Sequence, residues 1–433
     1  MKLALITPEW GAVAGGIATY YRHLVPALRD AGVEVTVFCG SPFVTGSGSQ
    51  EGAQLLAADA LEAHRRPFRQ FAPLGQLQHH LAAAWALFDQ VQQQDFDLVE
   101  CTDWGLTALP WLELAQPVIM RCHASLAQVA RREHLPGEAV FQSVTALLEQ
   151  SALRLADGVV TYADANAAEW TSVLARDVPV VRPAFPVAPA ATAAPDGAAG
   201  LVAGKIQRWK GVETLCRALE HDYAGPPIRW FGRDMPYDDA GTTQSTASVM
   251  ERRYPEVWNN LIRPAGMVPP VQLVEERAGA AFMVVPSSWD VFNFTVVEGM
   301  AQGLPVVVSS GAGASELIDH GVSGWVFEAG NAEACRACLD ELLGLSAAAR
   351  QAVGEAAREM VATRLEPARA AADHRAGYEA ALASPRRVPA PLWRDLRADE
   401  TGGHVESDLM SNVAGRDLVR ALLKRGRERI GRR

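Results

Sequence analysis

Two features that would assign this chain to a membrane or to the secreted proteins are missing. No stretch approaches 18 consecutive apolar residues, the length that a membrane-spanning helix requires. The N-terminus, MKLALITPEW, becomes polar too soon for the apolar core of a signal peptide. The sequence therefore predicts a cytoplasmic location.

Cysteines are few and show no framework of pairs. The six are Cys39, Cys101, Cys122, Cys216, Cys335 and Cys338. The last two form a C-x2-C, but no second pair accompanies it, and it lies in a helical pattern rich in Ala and Leu. We expect buried thiols rather than disulfides, zinc ligands or redox groups.

Positive charge is also scarce, except at the C-terminus. The net charge is −10, which argues against nucleic acid as the main partner. Residues 414–433, however, contain eight Lys or Arg and two acids. Within them, residues 415–433 read as a basic amphipathic segment, which favours peripheral contact with an anionic membrane. Instead of binding a membrane, this segment could be a solvated helical end or could dock on the acidic remainder of the chain.

What is present fits a soluble protein of two or three domains. The chain has 433 residues, of which 49% are hydrophobic and 21% charged. Apolar strand-like runs alternate with amphipathic helical stretches, which is typical of doubly wound α/β domains. Strands are predicted at 2–6, 34–38, 97–100, 118–122 and 158–162, and helices at 17–31 and 74–94. A stretch rich in Ala and Pro at 184–200 reads as a linker. The alternation then restarts, with strands at 201–203, 228–231, 281–285, 305–308 and 325–327.

The most informative segment is PSSWDVFNFTVVEGMAQGLPVVV, residues 286–308. A loop turns into a helix at about Phe294, and a buried strand follows at 305–308. The amides of Asn293, Phe294 and Thr295 should therefore be unpaired at a helix N-terminus, which is a site for phosphate oxygens.

Two acids flank this helix start. Glu298, one turn into the helix, can accept hydrogen bonds from sugar hydroxyls, and Asp290 can hold the group beyond the phosphates. The helix N-terminus and the two acids together predict a site for a nucleotide sugar. The alternative for Glu298 is a surface acid that favours the positive end of the helix dipole.

The segment resembles the E-x7-E region of the retaining family-4 glycosyltransferases. Asp290 stands in place of the first Glu, and Asn293 where a Gly is usual. Three further patches follow the order of that family: Gly15-Gly16, then GKIQRWKG at 204–211, then GAGASE and DHGVSGW at 311–325.

The resemblance implies the GT-B fold, two Rossmann-like domains that face a central cleft. It divides the chain into an acceptor-side domain at 1–183, the linker at 184–200 and a donor-side domain at 201–365. A helix at 366–385 would cross back to the first domain, and a polar extension would occupy 386–433. The implied reaction moves a sugar from UDP or GDP to a glycan or lipid-linked glycan, with retention at the anomeric carbon.

Several residues are candidates for that chemistry. Lys205 and Lys210 can stabilise the charge of the departing nucleoside diphosphate, although the family usually carries Arg at the position of Lys205. The Gly15-Gly16 loop resembles the one that touches the donor phosphate and the acceptor, with a flexible loop as the alternative. His123 matches a His near the donor sugar, with a buried structural His as the alternative. Asp290 would contact donor hydroxyls rather than act as a nucleophile.

No metal or other cofactor is expected. Asp95-Phe-Asp97 is formally a D-x-D, but it leads into a strand and reads as structural. Two other functions stay open: a nucleotide-sugar epimerase or hydrolase, and a catalytically silent binding protein of the same fold. Acceptor specificity should lie in first-domain loops such as 43–50 and 65–73. The polar segment 233–260 reads as a surface excursion near the nucleotide.

Overall fold

The computed structural model describes residues 1–11, 15–132, 139–187, 198–239 and 242–384. The basic segment predicted at 415–433 lies outside the described residues, as does most of the predicted linker. Below, residues up to 187 are called the first half and residues from 198 the second half.

The first half is built on a seven-stranded sheet. Its strands are β1 (Lys2–Thr7), β2 (Glu34–Cys39), β3 (Ser49–Gln50), β4 (Ala53–Leu55), β5 (Leu98–Thr102), β6 (Val118–Arg121) and β7 (Gly158–Val160). Their order is β3-β4-β2-β1-β5-β6-β7, and every pairing is parallel except that of β3 with β4. Leu3 pairs with Val35 on one side and Leu98 on the other. The central strands read as continuous apolar runs because helices cover both of their faces.

The α-helices in the described part of this half are α1 (Gly16–Asp30), α2 (Ala58–Ala63), α3 (Gly75–Val91), α4 (Leu126–Arg132), α5 (Ala139–Leu155) and α6 (Asp164–Leu174). The five strands and two helices predicted for this half are present, with ends that differ by up to three residues. The short strands β3 and β4 were not predicted.

The second half repeats the architecture with a six-stranded, all-parallel sheet. Its strands are β8 (Gly200–Ala203), β9 (Ile228–Phe231), β12 (Ile262–Gly266), β13 (Phe282–Val285), β14 (Val306–Ser309) and β15 (Trp325–Phe327), and a separate hairpin pairs β10 (Pro236–Asp239) with β11 (Thr242–Ser245). The sheet order is β12-β9-β8-β13-β14-β15. The helices are α7 (Val212–Leu219), α8 (Thr246–Arg253), α9 (Pro270–Ala278), α10 (Phe294–Ala301), α11 (Ala332–Gly344), α12 (Ala347–Arg364) and α13 (Pro367–Ala383).

The segment 233–260 is more than a surface excursion, so that prediction was wrong in part. Tyr237, Val249, Met250 and Trp258 are buried in one hydrophobic cluster with Trp230 of the sheet. Sequence patterning missed this because the apolar residues are few and widely spaced among polar ones.

The last helix, α13, packs against α1 of the first half. Arg375 donates a hydrogen bond to the carbonyl of Ala31 at 3.1 Å. His374 pairs with the hydroxyl of Tyr20, and the Tyr378 hydroxyl donates to Glu100 at 2.7 Å. The end of the second half is therefore anchored in the core of the first.

Other features of the fold concern the cysteines, the linker and membrane spans. All six cysteines are buried free thiols, as predicted. Phe185, at the start of the predicted linker, is buried and donates its amide to the carbonyl of Leu365 at 2.8 Å. Among the helices that the structure describes, none is long and apolar enough to cross a membrane.

Candidate functional site

The site is built first by two loops that follow neighbouring strands. Because β8 and β13 pair in the sheet, the loops after them emerge side by side. Gly211 has a φ of +78°, and a side chain there would place its Cβ 1.8 Å from the carbonyl oxygen of Pro286. The carbonyl of Trp209 accepts hydrogen bonds from the amide and the hydroxyl of Ser288, at 2.8 and 3.0 Å. The two loops are therefore fixed to each other.

These loops bring Lys210 and Asp290 into an ion pair, although the sequence had given them separate roles. Their side chains keep 21% and 14% of their exposure, so both still reach the cleft. Lys205 reaches solvent beside them. Burial by the surrounding protein and the positive charge of Lys210 lower the pKa of Lys205, while Glu9 and Asp290 act in the opposite direction. Two cations and one carboxylate thus meet at the ends of the strands.

Helix α10 begins at Phe294, as predicted, and Asn293 is its N-cap. Asn293 has a φ of +75°, which explains why Asn can stand where a Gly is usual: both tolerate the left-handed region. The prediction that the Thr295 amide is unpaired was wrong, because this amide donates to the side chain of Asn293 at 3.2 Å. Within the described residues, the amides of Asn293 and Phe294 have no acceptor. Two amides rather than three are therefore open at this helix end.

Glu298 lies one turn into α10 and already has a partner. It accepts a hydrogen bond from Arg277 at 2.6 Å, and Arg277 is also held by Gln302 at 2.6 Å. The side chain of Glu298 keeps 24% of its exposure, whereas that of Arg277 keeps 6%. The acid is therefore ion-paired and still partly open to the cleft. Arg277, on α9, was not predicted, since no sequence motif connects it to Glu298.

Gly15 and Gly16 lie at the start of α1, opposite this second-half site. The amide of Gly15 donates to the carboxylate of Glu9 at 3.0 Å, so a protein anion already occupies the helix end. A Cβ added to Gly16 would lie 3.7 Å from the ring of Phe294. The first turns of α1 and α10 are therefore neighbours across the boundary between the halves.

His123, after β6, sits in an aromatic cluster at the same boundary. Its imidazole contacts the hydroxyl of Tyr162 and lies 3.3 Å from that of Tyr21. Burial and the charge of Arg121 hold its pKa well below the usual value, so the ring is neutral at pH 7. The cluster extends to the second half, because the rings of Tyr162 and Phe294 are 6.3 Å apart.

The fold is shared with proteins of known structure. Sucrose-phosphate synthase from Thermosynechococcus elongatus matches with a TM-score of 0.64 and 18% identity, over 89% of this chain and 100% of that one. The Anabaena protein HepE in complex with UDP-glucose matches with a TM-score of 0.61 and 16% identity, over 88% and 100%. The predicted GT-B architecture is therefore confirmed.

Two family models match successive parts of the sequence. Residues 14–185 match the model described as Glycosyltransferase Family 4, and residues 259–360 match Glycosyl transferases group 1. This chain is a family-4 glycosyltransferase. Its curated relatives include glycogen synthase of Mycobacterium tuberculosis, 26% identical over 81% of this chain and 89% of that protein. D-inositol 3-phosphate glycosyltransferase of Arthrobacter sp. is 27% identical over 84% and 87%.

Behind His123, the glycosyltransferase holds its loop with two buried carboxyl groups that the sequence did not indicate. Asp103 accepts the amide of His123 at 2.8 Å, and burial raises the pKa of Asp103 to about 7. Glu149 accepts the amides of Leu126 and Ala127 at 3.3 and 3.2 Å, and burial raises its pKa well above the usual value. Both acids lie at least 20 residues from the loop in the sequence, and both hold its backbone amides by hydrogen bonds.

The patch at 311–316 of the glycosyltransferase joins the two halves. Glu316 accepts the amides of Asp164 and Ala165, at 3.0 and 3.1 Å, at the N-terminus of α6. It also pairs with Arg182 at 2.8 Å. A Cβ at Gly313 would lie 2.1 Å from the carbonyl oxygen of Val291, so the close packing requires glycine. This Glu caps a helix of the other half.

The D-x-D of the glycosyltransferase lies before β5, at the opposite ends of the strands from the cleft loops. Asp97 accepts the backbone amide of Lys2 at 2.7 Å, and Asp95 pairs with the Lys2 ammonium at 3.5 Å. In the part of the chain that the structure describes, no three His, Cys, Asp or Glu side chains are grouped to hold a metal ion.

Proposed function

We propose that this glycosyltransferase transfers a sugar from a UDP- or GDP-sugar with retention at the anomeric carbon. The observation that carries the proposal is the convergence of Lys205, Lys210 and the open end of α10. The two lysines follow the parallel strand β8, and the open amides are at the N-terminus of α10. Anionic ligands of open α/β sheets bind at such positions. UDP-glucose, which is bound in the HepE complex, is the first donor to test.

The donor fits this site with its diphosphate at the amides of Asn293 and Phe294. The ammonium groups of Lys205 and Lys210 then face the phosphate oxygens. Glu298 is held by Arg277 in an orientation that leaves part of its carboxylate for ribose hydroxyls. Asp290, one residue beyond the indole of Trp289, faces the sugar. Within the second half, residues 201–365 are thus the donor side.

Catalysis in this proposal rests on charge that develops on the departing diphosphate. Lys205 and Lys210 stabilise that charge more strongly in the transition state than in the bound donor. His123 is neutral, so it hydrogen-bonds a sugar hydroxyl without adding charge beside the reacting carbon. Asp290 is tied to Lys210, which makes it a poor nucleophile. The acceptor therefore approaches the face that the diphosphate leaves, and a phosphate oxygen takes its proton.

The acceptor side is residues 1–183 of the first half, whose Gly15-Gly16 turn adjoins α10. A glycan or lipid-linked glycan is the proposed acceptor class. The relatives that act in glycogen synthesis and on inositol phosphate support an acceptor rich in hydroxyls. The basic segment 415–433 would bring the enzyme to an anionic membrane when that acceptor is lipid-linked. The reaction needs no metal, so activity should persist in EDTA.

A panel of nucleotide sugars tests the proposal. Thermal shift with UDP-, GDP- and ADP-sugars identifies the donor, because a ligand that binds the native state raises the unfolding temperature. Release of nucleoside diphosphate is then measured with and without pooled glycan acceptors. We expect a UDP- or GDP-sugar to stabilise the protein and release to depend on acceptor. Turnover that is equal without acceptor would favour a hydrolase or epimerase instead.

A further inference from the structure

Four side chains form a column that runs from the first half to the proposed catalytic lysine. The guanidinium of Arg132, on α4, lies 4.1 Å from the ring centroid of Trp289. Trp289 stacks on Trp209, with centroids 5.3 Å apart and planes at 27°. The ammonium of Lys210 lies 4.7 Å from the ring of Trp209 on the same loop. Each indole thus contacts one cation and the other indole.

The column is anchored at both ends. Arg132 donates to Glu169 of α6 at 2.7 Å and to the carbonyl of Gln128 at 3.1 Å. At the other end, Ser288 holds the carbonyl of Trp209, so the backbones that carry the two indoles cannot separate. Cations are attracted to the faces of aromatic rings, and an offset stack of two rings is favourable. The arrangement is therefore a set of attractive contacts on fixed supports.

One group in the column is placed at a cost to stability. The indole N–H of Trp209 is buried and finds no acceptor among the described residues. A buried donor without a partner is unfavourable, and such groups in native proteins call for an explanation. Packing alone would be served as well by a Phe or Leu at this position. The indole, unlike Leu, also gives the Lys210 ammonium a flat aromatic face.

We propose that Arg132, Trp289 and Trp209 are positioning residues that hold Lys210 against the departing diphosphate. A lysine side chain is flexible, and Asp290 alone would draw the ammonium toward itself. The face of Trp209, 4.7 Å away, gives the ammonium a second attraction. Because Arg132 belongs to the first half, the column is complete only when the two halves meet. The inference rests on the proposed leaving-group role of Lys210.

Arg131 supplies a matched control for Arg132. Both arginines belong to α4 and both pair with Glu169, Arg131 at 2.9 Å, but only Arg132 lies over an indole. We expect Arg132→Ala to lower kcat by about five- to tenfold with little change in the KM for donor, as the loss of a partly buried cation–π contact would produce. Arg131→Ala should stay within about twofold of the wild type. Equal losses in the two variants would overturn the proposal.

The indoles are tested by graded substitution. Trp289→Phe keeps an aromatic face for Arg132 and should retain most of the kcat, whereas Trp289→Leu should fall to the level of Arg132→Ala. A merely structural role would lower the unfolding temperature and activity together, so both are measured. Near-ultraviolet circular dichroism reports loss of the stacked indoles in each variant. Equal kcat for Phe and Leu at position 289 would contradict the proposal.

A double-mutant cycle separates this inference from the proposed function. If the column acts through Lys210, Arg132→Ala should have no further effect on kcat in a Lys210→Ala background. Additive losses would show that Arg132 acts elsewhere and would overturn the inference. If Lys210→Ala itself left kcat unchanged, the proposed leaving-group role of Lys210 would fail. The positioning role of the column would then fail as well.

Discussion

Lys210 has two protein partners, the carboxylate of Asp290 and the face of Trp209. A phosphate oxygen of the donor would become the third. The ammonium is therefore pre-positioned, and little reorganisation is needed when charge develops on the leaving group. Its contribution should appear in the rate of the chemical step more than in donor binding.

We predict that Lys210→Ala lowers kcat by about 10²-fold while changing the KM for donor by much less. Arg208→Ala is the control, since Arg208 lies on the same turn but faces the ring of Tyr237, 5.8 Å from its centroid. Steady-state kinetics with the identified donor measure both constants. A rise in KM at unchanged kcat would show that Lys210 only binds the donor.

Glu298 should show the opposite balance. Glu298→Gln removes the charge that accepts ribose hydroxyls, and we expect donor affinity to fall by about 1.5–3 kcal/mol, measured by calorimetric titration. Glu298→Ala is a less clean test, because it leaves the buried Arg277 without its ion-pair partner. The Ala variant should therefore also unfold at a lower temperature. Unchanged affinity in the Gln variant would remove Glu298 from the site.

At the residue scale, the sequence predicted the positions of the site residues better than it predicted their hydrogen-bond partners. Asp290, Asn293 and Phe294 lie where the loop-to-helix pattern placed them, because those positions depend on local spacing. Glu9 and Arg277 were missed, since each meets its partner through contacts that no local pattern encodes. The hydrogen bond from the Thr295 amide to Asn293 was also missed, although Asn is a common N-cap residue whose side chain accepts such a bond.

At the scale of elements, α13 owes its position to a buried polar network. Glu100 of β5 and Arg121 of β6 form a fully buried pair at 2.9 Å. Burial opposes ionisation of Glu100, but Arg121 outweighs it and lowers the pKa of Glu100 to about 2. Tyr21 of α1 and Tyr378 of α13 both donate to this carboxylate, at 3.0 and 2.7 Å. The last helix therefore completes the hydrogen bonds of a buried charge.

Tyr378→Phe should lower the free energy of unfolding by about 1–3 kcal/mol, because a buried carboxylate loses one of its donors. Tyr223→Phe is the control: its hydroxyl donates to the nearby carbonyl of Pro226 in a half-buried position, so its loss should cost less. Urea unfolding followed by circular dichroism measures both. Equal effects of the two substitutions would contradict the role assigned to the network.

His374, on the same helix, should make stability depend on pH. Burial and Arg121 lower its pKa to about 3, while in the unfolded chain it titrates near its ordinary value of 6.5. Between these values the unfolded state binds the extra proton, so stability is lost as the pH falls from about 6.5 toward 3.

The measurement is urea unfolding of the wild type and His374→Gln at pH 7.5 and pH 4.5. The wild type should lose on the order of 2 kcal/mol more than the variant over this interval. Parallel losses would mean that His374 is not a buried neutral group in the folded protein.

Most strands of the two sheets followed from hydrophobic alternation, whereas β3, β4 and β12 did not. The central strands of both sheets are almost fully buried, whereas the helix at 367–383 was expected from the family resemblance. Strand β3 is exposed, β4 has one buried residue and β12 is exposed along most of its length, so none of the three shows the apolar run of a buried strand. The core residues of 236–258 depend on packing against Trp230, which local sequence does not reveal.

At the scale of the whole molecule, the cleft is defined by how the halves touch. Glu316 with Arg182 forms one contact, the pair of α13 and α1 a second, and Arg132 on Trp289 a third. The alternation of strands and helices predicts two similar sheets, and the family matches confirm the enzyme class. The crossing of α13 to the first half was expected from the family resemblance, whereas the contacts of Glu316 and Arg132 could not be predicted, because they join residues that lie far apart in the chain.

The most direct test of the account is the configuration of the first-formed product. With the donor that the panel identifies, in its α-linked form, transfer is followed by proton NMR from the first minutes. We predict an α-linked product together with nucleoside diphosphate, because the acceptor approaches the face that the diphosphate leaves. A β-linked product as the first species would contradict the proposed arrangement of the lysines and Asp290 around the donor.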